Sequence, residues 1–165
     1  MLKILIVEDQ PAFKVEDALD YLKFKNLKCE IKMFSSAVSS MRYIRDNLEE
    51  IDLAIIDLGI PYFENEPIRS KTQGFEVIHE IERLIRNRSI KKNISIIINS
   101  TTKLELSHGM TEEEYFADSK ARCGTTIEHV EELEGSYLYE FIEKNMPEKI
   151  EFQWWNSIFF MKNQF

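Results

Sequence analysis

Short, unbroken apolar runs alternate with longer segments of mixed polarity along the first hundred residues of the chain. Runs of this length, bounded by polar residues, are typical of strands that are buried on both faces of a parallel sheet. They predict strands at residues 2–7, 52–56 and 94–98, and the more alternating segment 29–34 predicts another.

The segments between these strands carry apolar residues at the spacing of amphipathic helices. The first such stripe follows Pro11, which is tolerated at a helix start because its missing N–H needs no partner there. Ser35 and Ser36 are candidate N-caps for the next helix, and Gly74 opens a third helix. Strands and helices that alternate in this way predict an α/β fold with a parallel sheet and right-handed crossovers.

The pattern is less regular after Thr102. Thr111 followed by three acidic residues indicates a capped helix start, and a further helical region is expected at about 127–145. The continuous apolar run at 158–161 is the better candidate for a last buried strand. We therefore expect a single domain over residues 1–165, in which 103–150 is an atypical helical region between strands 4 and 5.

Charge and composition exclude several classes of protein. The net charge of −8 and the pI near 5.0 argue against a nucleic-acid surface, which needs a basic patch. No apolar stretch approaches the roughly 20 residues of a membrane span, and the N-terminus lacks the layout of a signal peptide. Cys29 and Cys123 are expected to be reduced thiols. These features predict a cytoplasmic protein without nucleic-acid or membrane binding.

Carboxylates follow two of the predicted strands. Glu8 and Asp9 come directly after the first strand, and Asp57 follows the third. Because ligands bind outside the carboxyl ends of strands in open α/β sheets, these acids are expected to share one edge. Mg²⁺ prefers such hard oxygen ligands, and a carboxylate beside the ion can attack phosphorus.

Two further groups could stabilise a phosphoryl group at this edge. Ser100 or Thr101, just past the fourth strand, offers a hydroxyl donor, and Lys162, after the run at 158–161, offers an ammonium.

Three segments resemble the motifs of receiver domains of two-component response regulators: Lys3–Asp9, Asp52–Pro61 and Gly74–Ile78. The similarity extends from residue 2 to about residue 101, and the motifs occur in the order seen in that family. The resemblance implies a flavodoxin-like, doubly wound parallel sheet of five strands in the order 2-1-3-4-5.

The resemblance also implies roles for individual residues. Asp57 matches the phosphorylated aspartate, Glu8 and Asp9 match the acidic pair that holds Mg²⁺ together with Asp57, and the carbonyl of Gly59 matches a backbone ligand. Ser100 best matches the switch hydroxyl, with Thr101 as the alternative. The phosphoryl donor would be a histidine kinase or a phosphotransfer protein.

The C-terminal third departs from the family pattern, and two alignments compete. In one, Cys123–Thr126 is the turn before the fifth strand, and Glu131 takes the place of the family's lysine. In the other, residues 158–161 form that strand and Lys162 is the lysine. We favour the second, because Ile127, Val130 and Leu133 are spaced by three, as in a helix.

The leading functional hypothesis is a stand-alone receiver that accepts a phosphoryl group on Asp57 and signals through contact with an unknown downstream protein. Its activity would be at most self-phosphorylation and self-dephosphorylation rather than conventional turnover. The alternative is a pseudo-receiver that takes no phosphate and acts as a protein-interaction module. A Mg²⁺-dependent phosphatase with an aspartyl nucleophile is less favoured, because Gly59 stands where such enzymes need a second acid.

Overall fold

The computed structural model describes residues 1–69 and 72–150. In chain order, its strands and α-helices are β1 (Leu2–Val7), α1 (Pro11–Lys14), α2 (Glu16–Phe24), β2 (Cys29–Phe34), α3 (Ala37–Asn47), β3 (Leu53–Ile56), α4 (Gln73–Arg88), β4 (Ser95–Asn99), α5 (Glu112–Cys123), β5 (Thr126–Val130) and α6 (Gly135–Asn145). The five strands form one parallel sheet in the order β2-β1-β3-β4-β5. This order confirms the flavodoxin-like fold predicted from the sequence.

The sheet is buried on both faces, which explains the unbroken apolar runs. Successive side chains of a strand point to opposite faces. Leu5 and Val7 of β1 therefore pack with α3, α4 and α5, whereas Ile4 and Ile6 pack with α2 and α6. Burying one such side chain contributes about 1.5–3 kcal/mol to the stability of the fold. The central strands are therefore stable, and they fix the positions of the residues that follow them.

The structure corrects the predicted position of the fifth strand. β5 pairs with β4 from Ser95 opposite Thr126 to Asn99 opposite Val130. Residues 103–150 are thus not a helical region between strands 4 and 5, because they contain α5, β5 and α6. The run at 158–161 lies outside the described residues.

The physical reason for this error lies in the edge position of β5. Ile127 packs into the core on one face of the sheet and Val130 into the core on the other. Two residues three apart in a strand point to opposite faces, so their spacing fits a strand as well as a helix. Glu128 and His129, which lie between them, are polar and partly exposed, so β5 lacks the continuous apolar run of a fully buried strand.

Local capping signals agree with the sequence analysis at two helices. The Ser36 hydroxyl accepts a hydrogen bond from the Ser39 N–H at the start of α3. Thr111 and Glu114 form a reciprocal capping box at the start of α5. The single helix expected after Pro11 is instead divided into two. Val15 has the non-helical angles φ −131° and ψ −19°, so it separates the short helix α1 from α2.

Candidate functional site

Strand register brings the three predicted acids together. Val7 of β1 lies opposite Ile56 of β3, so the residues that follow these two strands leave the sheet at the same edge. One carboxylate oxygen from each of Glu8, Asp9 and Asp57 lies within 4.8 Å of the others. The structure thus places the three acids in one cluster.

Glu8 is the most deeply buried acid of this cluster, with 2% of its surface exposed. Its Oε1 accepts a hydrogen bond from the Gln10 N–H at 2.9 Å. Its buried Oε2 has no hydrogen-bond partner among the described residues and lies 3.7 Å from Nζ of Lys14. Burial, with the nearby negative charge of Asp57, raises the pKa of Glu8 to about 7.

These features fit a hard divalent cation. A buried carboxylate oxygen without a hydrogen bond is costly, and a cation beside it would offset that cost. Carboxylate oxygens are also the donors that Mg²⁺ prefers, and the ion needs few of them because it retains water ligands. The residues of the cluster therefore form a candidate metal site, and the role of the Gly59 carbonyl as a further ligand remains a prediction.

Asp57 is held by donors on both of its oxygens. Its Oδ1 accepts a hydrogen bond from the Gly59 N–H at 2.9 Å, and its Oδ2 accepts one from Nζ of Lys14. Burial alone would raise the pKa of Asp57, but the hydrogen bonds from Lys14, Gly59 and Ser100 outweigh it and lower that pKa. Asp57 is consequently kept as a carboxylate, the form that a nucleophile requires.

Gly74 allows α4 to start directly against the end of β3. A Cβ at this position would lie 2.0 Å from the carbonyl oxygen of Asp57 and 2.8 Å from Cα of Leu58. The Gly74 N–H donates to the Leu58 carbonyl at 3.0 Å. The glycine is needed for this close approach, which fixes the backbone that carries Asp57.

The two candidate hydroxyls lie in different surroundings. Ser100 is buried, and its N–H donates to the Val130 carbonyl at 3.0 Å. Its hydroxyl contributes to the lowered pKa of Asp57 and accepts a hydrogen bond from the Thr102 N–H at 3.3 Å. Thr101 is exposed. Of the two, Ser100 is therefore the hydroxyl beside Asp57, whereas its proposed switch role remains a prediction.

The cation beside Asp57 is one that the sequence analysis did not identify. Lys14 lies at the end of α1, and its Nζ contacts both Asp57 and Glu8. The sequence could have indicated this position of Lys14. A helix that starts at Pro11 has Lys14 in its first turn, and that turn directly follows Glu8 and Asp9. Lys162, the predicted partner, lies outside the described residues, and Glu131 is the residue that directly follows β5.

His129 links this region to α5. Its Nε2 lies 2.7 Å from the Ser100 carbonyl oxygen, and its Nδ1 lies 2.9 Å from Oε1 of Glu112. The Ser100 carbonyl oxygen can only accept, so Nε2 is the donor in that hydrogen bond. The backbone at Ser100 is thereby connected to the first turn of α5.

No helix in residues 1–69 or 72–150 has the length and apolar character needed to cross a membrane.

Comparison with solved structures finds the crystal structure of the Mn²⁺-bound form of response regulator Rcp1, with 17% sequence identity and a TM-score of 0.49. The match covers 87% of this chain and 92% of that chain. The chain matches no family model and no curated protein. The strand order and flanking helices of the chain itself establish a flavodoxin-like fold.

Proposed function

We propose that the chain is a response-regulator receiver domain that accepts a phosphoryl group on Asp57 in a Mg²⁺-dependent reaction. The single observation that carries this proposal is the convergence of Glu8 and Asp9 with Asp57 at the carboxyl edge of the sheet. A buried carboxylate that has a lowered pKa, next to a candidate cation site, has the properties of a nucleophile for phosphoryl transfer.

The chain's own residues would orient this nucleophile. The Gly59 N–H holds Oδ1 of Asp57, and the close packing of Gly74 fixes the backbone. Fixing the carboxylate in this way lowers the entropic cost of the attack. A bound Mg²⁺ would neutralise the charge of the incoming phosphoryl oxygens, and Glu8 and Asp9 with Asp57 would hold it.

Signalling would pass from the site through Ser100. A phosphoryl group on Asp57 adds charge and acceptor oxygens close to the Ser100 hydroxyl. Ser100 is bonded to the Val130 carbonyl and through His129 to α5, so a shift of this residue would alter the surface formed by β4, β5 and α5. We propose a histidine kinase or phosphotransfer protein as the cytoplasmic donor, and protein contact as the output.

The test is to incubate the chain with acetyl phosphate and Mg²⁺ and to follow the intact mass. We expect a mass gain of one phosphoryl group that disappears in Asp57→Asn and in the presence of EDTA. A mass gain that persists in Asp57→Asn would remove Asp57 from its assigned role.

A second candidate is a pseudo-receiver that acts as an interaction module without phosphorylation. Glu131 favours this candidate, because an acid directly after β5 repels a phosphoryl group near the edge of the sheet. Absence of any mass gain in the wild type, under conditions in which a standard receiver is phosphorylated, would support it.

A further inference from the structure

We infer that Lys14 is a catalytic residue, whose ammonium neutralises Asp57 before phosphoryl transfer and pairs with a phosphoryl oxygen afterwards. This inference rests on the proposed function and adds a residue from α1 to it. The observation behind it is direct contact with the reacting group, since Nζ of Lys14 donates to Oδ2 of Asp57.

The backbone of α1 is anchored so that this contact is maintained. Val15, which ends the turn, is buried in the core between the sheet and α6, and its N–H donates to the Pro11 carbonyl at 3.0 Å. The Asn99 side chain, at the end of β4, donates to the Lys14 carbonyl at 3.3 Å. The main chain of Lys14 is therefore tied to both β4 and the core.

The Lys14 side chain is less constrained than its backbone. It is 41% exposed, whereas its partners Asp57 and Glu8 are 3% and 2% exposed. A long, partly solvated lysine can follow an oxygen that moves outward when a phosphoryl group is attached. Its position thus suits both the free carboxylate and the aspartyl phosphate.

Lys14 also offsets the acidic character of the surrounding cavity. A cavity of about 270 Å³ is lined by Lys14 and Asn99 together with Thr101, Glu131 and Glu132. Glu131 and Glu132 would repel an anionic phosphoryl donor. Within residues 1–69 and 72–150, the ammonium of Lys14 is the side-chain cation that forms an ion pair with Asp57.

The negative charge of the cluster is large enough to be shared by Lys14 and a metal ion. The ionised carboxylates of Glu8, Asp9 and Asp57 carry three negative charges, and Lys14 neutralises one of them. The remaining two negative charges match one divalent cation. Lys14 and Mg²⁺ are consequently expected to act together, although they compete in part for the oxygens of Asp57.

The chemical step requires no proton transfer from Lys14. One oxygen of Asp57 attacks the phosphorus of an acyl phosphate or a phosphohistidine, and a new O–P bond forms. The bond from phosphorus to the donor breaks, and its electron pair leaves with the donor. The N–H of Lys14 moves its hydrogen bond from the carboxylate to a phosphoryl oxygen, which stabilises the charge that develops there.

The test compares the rates of phosphorylation by acetyl phosphate in the wild type, Lys14→Met and Lys14→Arg, with Mn²⁺ affinity measured alongside. We expect Lys14→Met to slow phosphorylation by about 100-fold, with Mn²⁺ affinity unchanged or higher because a competing cation is lost. Lys14→Arg should recover part of the rate. Lys103→Met is the matched control, because Lys103 lines the neighbouring cavity with Ser100 and Glu112.

Each outcome decides the inference. A wild-type rate in Lys14→Met would overturn it and leave the proposed function standing, whereas a wild type that is never phosphorylated would overturn both. Loss of Mn²⁺ binding together with phosphorylation in Lys14→Met would assign Lys14 a structural role instead. A rate that falls in Lys162→Ala but not in Lys14→Met would transfer the role to Lys162.

Discussion

His129 Nε2 donates to the Ser100 carbonyl oxygen over 2.7 Å, while the other ring nitrogen, Nδ1, lies 2.9 Å from Oε1 of Glu112 in α5. The histidine therefore joins the segment after β4 to a helix on the surface of the sheet. Because Ser100 is buried beside Asp57, this connection is part of the environment of the candidate phosphorylation site.

Removing this connection should destabilise the fold. We expect His129→Ala to lower the free energy of unfolding by about 1–2 kcal/mol, since the Ser100 carbonyl loses a donor. Glu112→Gln should have a smaller effect of the same sign. Chemical denaturation measures both, with Glu113→Gln, exposed on the same helix, as the control. Equal stability of His129→Ala and the wild type would contradict the bridging role.

Gly74 should not tolerate a side chain. In Gly74→Ala the new Cβ would lie 2.0 Å from the Asp57 carbonyl oxygen, and backbone atoms cannot yield as a flexible side chain can. We expect a loss of more than about 2 kcal/mol in unfolding free energy, or no folded protein. Gly59→Ala is the matched comparison for stability, because its Cβ would meet Oδ1 of Asp57 at an ordinary 3.7 Å. Similar melting temperatures for the two variants would refute this account.

Glu8 is expected to strengthen metal binding but to lower the free energy of unfolding of the metal-free protein. Its carboxylate is buried beside Asp57, and burial raises its pKa to about 7. At pH 8 without divalent cations, Glu8→Gln should therefore raise the free energy of unfolding by about 1–2 kcal/mol. The same variant should bind Mn²⁺ more weakly, which titration calorimetry can measure.

Glu16→Gln, on the exposed side of α2, is the control for these two effects. Unchanged Mn²⁺ affinity in Glu8→Gln would exclude Glu8 as a ligand.

Glu80 should make the fold sensitive to acid. It accepts hydrogen bonds from Arg83 and from Arg45, with Nε–O distances of 2.7 and 2.6 Å, and these contacts lower its pKa to about 2 despite burial. A group whose pKa is lowered on folding adds stability above its unfolded pKa, here 4.5, and that stability is lost as the pH falls towards 2.

Because both arginines are about half exposed, solvent screening reduces this contribution to about 1–2 kcal/mol. Denaturation should be compared at about pH 5.5, roughly one unit above the unfolded pKa, and at about pH 2.5, close to the folded pKa. Glu80→Gln should be destabilising at the higher pH and much less so at the lower. A constant difference between wild type and variant at both pH values would contradict the assignment.

Local features were predictable because they depend on neighbours in the sequence. The runs of β1, β3 and β4 are apolar because both faces of each strand are covered, and the caps at Ser36 and Thr111 involve groups only three residues apart. The acids after β1 and β3 could be placed at one edge because parallel strands end on the same side of a sheet.

Tertiary contacts decided the position of the fifth strand and the identity of the cation beside Asp57. β5 is an edge strand whose mixed pattern fits a helix equally well, and pairing with β4 is what makes it a strand. The position of Lys14 depends on the break at Val15, on the bond from Asn99 and on the charge of Asp57. Asn99 is 85 residues away from Lys14 along the chain. The sequence by itself therefore determined the parallel sheet and its acidic edge, whereas only the folded chain decided which cation faces Asp57, because that choice rests on long-range packing and charge.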